Sequence, residues 1–119
     1  MSPTLYCWNF TQSRAGTLDG ICSGLGIRLR RVAPSEAELA IASLPERAPA
    51  PGLSAMPFRD EMLLMAFFPD ALLDRFLAAL RANSLSVPRK AVLTPVNAAW
   101  DSRRLHAELT AEMAAVGRR

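Results

Sequence analysis

Lys90, Thr94, Asn97, Arg103 and Arg104 all lie within the run KAVLTPVNAAWDSRR. An amide, a hydroxyl and two guanidiniums where a strand gives way to a helix suit one chemistry, anion binding. Free N–H groups and the positive end of the helix dipole face outward there. Thr94, Asn97, Arg103 and Arg104 are therefore the candidate ligand-binding residues. Two arginines in a first helical turn oppose the dipole, and a bound anion relieves that conflict. Lys90 stands at the far end of a five-residue strand, roughly 13–17 Å from Thr94. It is outside such a pocket.

The same residues also have architectural tasks. Pro95 removes a ladder donor and pushes Thr94 to extended geometry. Asn97 is able to bond its own backbone two residues on and close the turn. Asp101 is a helix N-cap, and Trp100 before it has the spacing of a hydrophobic staple onto Leu105. Lys90, Pro95, Trp100 and Asp101 are accordingly read as a structural motif, with architecture as the favoured reading of the whole corner.

Elsewhere the chemistry is sparse. The lone histidine, His106, has no nucleophile motif beside it and reads as a solvated helix residue. Glu108 and Glu112 share a wet helix face, and two carboxylates alone make no metal site. Cys7 and Cys22, without a C-x-x-C pair, read as buried free thiols rather than zinc ligands. No Gly-rich phosphate loop or catalytic signature occurs. No catalytic residue, metal or cofactor is expected. Tyr6, Trp8 and Phe10 beside Arg28 and Arg30 superficially suit RNA stacking, but the RNA-binding signature is absent, so nucleic acid is not the expected partner.

The chain has 119 residues, half of them apolar, with a formal charge of +3. That suits one globular domain able to bury its own core. Of fourteen cationic residues only Lys90 is a lysine. Arginine and alanine abundance reads as genome composition rather than a nucleic-acid footprint. The start, MSPTLYCWNF, lacks the charged and long apolar regions of a secretory leader. The longest apolar run, 62–68, is too short to span a bilayer. A soluble cytoplasmic protein is expected.

The elements follow from periodicity. LYCWNF (5–10) is a strand, with Tyr6, Trp8 and Phe10 sharing one face. Thr11 caps a helix carrying Ala15, Leu18, Ile21, Cys22 and Leu25, and Gly26 stops it. Gly16, Gly20 and Gly24 fall on one face, suited to close packing on a sheet. IRLRRV (27–32) alternates, with Arg28 and Arg30 outward. Ser35 and Glu38 form a capping box for a short helix through about Leu44. Residues 45–60, with their prolines, are a linker. EMLLMAFF (61–68) is a strand covered on both faces. Pro69 and Asp70 open a helix with the stripe Leu72, Leu73, Phe76, Leu77 and Leu80. KAVLT is the last strand. Asp101 caps a final helix burying Leu105, Leu109, Met113 and Val116, with Gly117 as its stop.

The resulting layout is one domain, 1–119: a βαβα half (1–44), the linker (45–60) and a second βαβα half (61–119). The fold class is α/β (α+β), a four-stranded sheet with helices packed on it. The first and third strands are the most apolar and belong in the centre, the second and fourth at the edges. A ferredoxin-like order is preferred; a parallel doubly wound sheet is the alternative.

The stretch from about Met62 to Met113 resembles the bacterial DUF3783 domain family. The resemblance rests on MLLMAFF, on DRFLAALR, on KAVLTP with Asn97 and Trp100 at their offsets, and on Glu108-Leu109. Family members tend to carry a polar residue between the Asn and Trp and Thr after the Trp; here these are Ala98, Ala99 and Asp101. The resemblance implies no reaction, substrate or cofactor. A small non-catalytic binding or interaction module is expected, dimerising through its sheet or engaging another protein. The alternative is an anion- or nucleotide-binding accessory domain, or a small enzyme, using the Thr94–Arg104 junction. No membrane association is expected.

Overall fold

A computed structural model describes residues 1–117. The chain forms β1 (Thr4–Trp8), α1 (Gln12–Leu25), β2 (Arg28–Arg31), β3 (Met62–Ala66), α2 (Asp70–Ala82), β4 (Arg89–Val92) and α3 (Ser102–Gly117). Short 3-10 turns occupy Pro34–Glu36, Ile41–Ser43 and Asn97–Ala99. Residues 45–60 hold no regular secondary structure.

The strands make one mixed sheet in the order β2-β1-β3-β4. β1 runs parallel to β2, β3 parallel to β4, and the antiparallel pair β1–β3 joins the two halves from Thr4↔Ala66 to Trp8↔Met62. The sheet is α/β, with β1 and β3 central and β2 and β4 at the edges, as the burial patterns require. In a ferredoxin-like sheet each βαβ unit is split by an inserted strand; here the two strands of each unit pair directly. The antiparallel centre is incompatible with the doubly wound parallel alternative.

Alternation on the central strands builds two cores. Leu5, Cys7, Leu63 and Met65 face α1 and α2, meeting Leu18, Cys22, Phe76 and Leu80. Trp8, Met62 and Leu64 face the other way and meet Ile41, Phe58, Leu105 and Leu109. β3 is buried along its whole length, each large side chain contributing roughly 1.5–3 kcal/mol. The buried Trp8 indole donates to Ser102 Oγ at 2.9 Å, which ties the sheet to the first turn of α3.

Several local expectations are corrected. Phe10 joins the α1/α2 core rather than the Trp8 face, because Asn9 adopts φ +65° and turns the chain over. Gly16, Gly20 and Gly24 point away from the sheet: they are exposed, and a Cβ added to any of them meets nothing within 4 Å. Arg30 is not a solvated outward residue but 5% exposed. Its guanidinium grips the buried Glu36 carboxylate at 2.6 and 2.8 Å and also donates to the Pro45 carbonyl.

The helix expected over 35–44 does not form. Glu36 takes the capping role given to Glu38, its Oε1 accepting the Ala33 N–H at 2.9 Å. The Ile41 N–H goes to the Trp100 carbonyl, and the Ala37 carbonyl takes the Ser102 N–H. These long-range bonds use groups that a local helix would need. At the other end Met113 and Val116 are exposed, at 38% and 61%. α3 has 16 residues, about 24 Å at its helical rise, while β4 has four, about 13 Å. The helix outruns the sheet. Gly117 is its last described residue.

Candidate functional site

The Asn97 corner is built on the edge of β4. Leu93 N–H points inward to the Met65 carbonyl, so Val92 and Thr94 turn their backbone groups outward. Asn97 meets both. Its Oδ1 accepts the Thr94 N–H at 2.8 Å, and its Nδ2 donates to the Val92 carbonyl at 2.9 Å. Its own N–H donates to Thr94 Oγ1 at 3.1 Å. The side-chain amide acts as one peptide unit of a missing fifth strand, and Asn97 is buried at 7% exposure.

Trp100 is half-buried against the core that holds Leu105, and Asp101 Oδ1 caps α3 by accepting the Arg104 N–H at 2.8 Å. The Arg104 guanidinium lies 5.0 Å over the Trp100 ring and 3.6 Å from Glu108. Thr94 and Asn97 thus come together by bonding one another. Arg104 turns to Trp100 and Glu108, and Arg103 is exposed on the first turn of α3. Lys90 donates to the Val87 carbonyl, away from this corner.

His106 is not solvated. Its Nε2 lies 2.8 Å from Asp60 Oδ2, and its ring stacks on Phe58 with centroids 4.3 Å apart. Asn9 Nδ2 donates to the carbonyls of Phe58 and Asp60. Arg89 stands 3.5 Å from Asp60 and donates to Thr110 Oγ1. The His106 hydrogen bond, with help from the Arg89 charge, holds the Asp60 carboxyl below its usual range. A histidine oriented by a carboxylate is half of a catalytic triad, but no hydroxyl or thiol bonds His106 among the described residues. The cluster clamps the end of the linker onto β4 and α3. The sequence offered no signal for it, since Asp60 and His106 are 46 positions apart.

Burial pushes the Cys7 and Cys22 thiols up to about 12, so neither is a nucleophile at neutral pH. Among the described residues no group of three or more His, Cys, Asp or Glu is placed to hold a metal ion.

One cavity, of about 460 Å³, opens at the carboxyl ends of β3 and β4. Tyr6, Phe67, Leu93, Thr94, Pro95 and Ala98 are among its lining. Phe67 follows β3 at φ +62° and is 43% exposed. A bulky residue in the left-handed region is strained by about 1–2 kcal/mol. The turnover sends Phe68 into the α1/α2 core, edge-on to Phe76 at 5.6 Å, and leaves Phe67 at the surface. The sequence showed two adjacent phenylalanines before Pro69 without showing which would be buried.

Fold and corner define the class: a small mixed α/β protein of two paired βαβ units, whose Pro-Asn-Trp segment seals a sheet edge. Residues 61–116 match the family model of DUF3783, a domain of unknown function. Over that stretch, from β3 through most of α3, the chain is similar to this family. No curated protein and no solved structure matches the chain.

Proposed function

We propose that this protein is a small non-catalytic binding module of the cytoplasm, recognising an apolar side chain of a protein partner in the cavity beside Phe67. The observation that carries the reading is Phe67 itself: a strained backbone at a half-exposed phenylalanine that lines a largely apolar cavity. Strain concentrates where a surface is used, and binding cavities gather at strand carboxyl ends. Two free buried cysteines support a reducing compartment.

Dimerisation through the sheet has less support than this cavity. Both edge strands have four residues and carry Arg28, Arg30 and Arg31 or Arg89 and Lys90, features that discourage edge pairing. Asn97 already occupies part of the β4 edge. The anion-site or enzyme alternative is also weakened, because Asn97 is committed to backbone and Arg104 to Trp100 and Glu108. Thermal shift with millimolar phosphate or nucleotide tests it, and ligand-dependent stabilisation at the junction would restore it.

The main test is an amide-shift titration with N-acetyl-leucinamide. Saturable shifts at Tyr6, Leu93, Thr94 and Ala98 are expected, and Ala98→Trp, which fills the cavity, abolishes them. Shifts that survive Ala98→Trp, or that scatter over the surface, overturn the reading.

A further inference from the structure

A separate groove of about 540 Å³ lies where the end of α2 approaches β4. Its floor includes the buried side chains of Leu80 and Leu85, and its rim includes Arg81, Ser84, Ser86 and Lys90. No carboxylate lines it. Some guanidiniums of the fold are matched to acids, Arg14 to Glu61, Arg30 to Glu36 and Arg104 to Glu108, while others, such as Arg75 and Arg103, stand in solvent without one among the described residues. Among the described residues neither Arg81 nor Lys90 has an acid within ion-pair distance. The half-buried Lys90 ammonium donates to the neutral Val87 carbonyl. That satisfies one of its three donors and leaves its charge uncompensated.

A helix C-terminus ordinarily repels anions through its free carbonyls. Here three of the last four are occupied. Ala79 accepts from the Asn83 N–H and from Asn83 Nδ2, Leu80 from the Leu85 N–H, and Arg81 from the Ser84 N–H. Ser84 holds φ +53° to make this turn. The groove therefore offers two cations, two hydroxyls and an apolar floor, with the nearby negative dipole blunted.

We infer that this groove binds a small amphiphilic carboxylate, its hydrocarbon body on the half-buried Leu77 beside Leu80 and Leu85 and its charged end on the Arg81–Lys90 rim. The volume is in the range of small-ligand sites, which combine an apolar lining with a few placed polar groups. A bare inorganic anion leaves the apolar floor uncovered, and a neutral apolar molecule leaves both cations unpaired. The inference is independent of the cavity at Phe67 and uses none of its residues.

The experiment is an amide-shift titration of the full chain with sodium octanoate, with sodium acetate and octan-1-ol as the two halves of the probe. Octanoate is expected to shift residues 77–90 saturably and to bind at least tenfold more tightly than either half. Lys90→Met keeps the apolar stem and removes the charge, and is expected to weaken octanoate binding tenfold or more, while Lys90→Arg retains it. Arg81→Gln, on the exposed helix surface, reports on the second cation without disturbing the core. Equal binding of octanol, unchanged affinity in both Lys90→Met and Arg81→Gln, or shifts confined to Tyr6, Leu93 and Ala98 would each overturn the assignment.

Discussion

At the scale of single residues, polar groups that looked available for a ligand are already used by the fold. Asn97 spends both ends of its amide on the edge of β4. Asn97→Ala is expected to cost about 1–3 kcal/mol, the range for stripping partners from enclosed backbone groups, read as a lower urea midpoint. An unchanged midpoint would contradict the edge-sealing role. Arg30 and Glu36 form the second such case. Burial raises the Glu36 carboxyl, but its hydrogen bonds from Arg30 and from Ala33 N–H outweigh that and hold it low. Glu36→Gln leaves a guanidinium buried without its counter-charge and is expected to cost about 3–5 kcal/mol. The double variant Arg30→Met/Glu36→Leu is expected to recover most of that loss, since it removes both charges together. Equilibrium unfolding of the two variants separates the pair's net worth from the penalty of orphaning one partner.

At the scale of elements, α1 shows where local propensity and tertiary packing part company. Its three interior glycines face open solvent, so neither the sheet nor a neighbouring helix requires them. Gly20→Ala is expected to stabilise the protein by about 0.5–1 kcal/mol through helix propensity alone. Gly26→Ala, at φ +70° in the helix cap, is expected to cost about 1–2 kcal/mol. Thermal melts of the pair check both signs. The boundaries of α1 were legible because Thr11 and Gly26 are local signals. Its facing was not, because a glycine stripe fits a sheet or solvent equally well. The 35–44 segment failed for the opposite reason: its helix signal was present, but bonds to Trp100 and Ser102 claimed the backbone.

At the scale of the whole molecule, contacts between distant segments hold the linker's end. His106, Phe58 and Asp60 join it to α3, with Arg89 of β4 alongside. Because the folded Asp60 carboxyl is held below its ordinary value of 3.8, the bond stabilises the fold fully above that value. It is lost as pH falls through the lower folded one. Wild type is therefore expected to lose stability below about pH 4 more steeply than Asp60→Asn, measured as denaturant midpoints between pH 3 and 6. Parallel pH profiles would remove the clamp. The strands, the two amphipathic faces, the Thr11 and Asp101 caps and the central place of β1 and β3 were all readable, because burial on two faces leaves a period and a composition in the sequence. The partners of Arg30, His106 and Asn97, the direct pairing within each βαβ unit and the cavity beside Phe67 were decided only in three dimensions. Each depends on which of several equally polar or apolar neighbours is brought close by segments far apart in the chain, and nearest-neighbour chemistry carries no record of that choice.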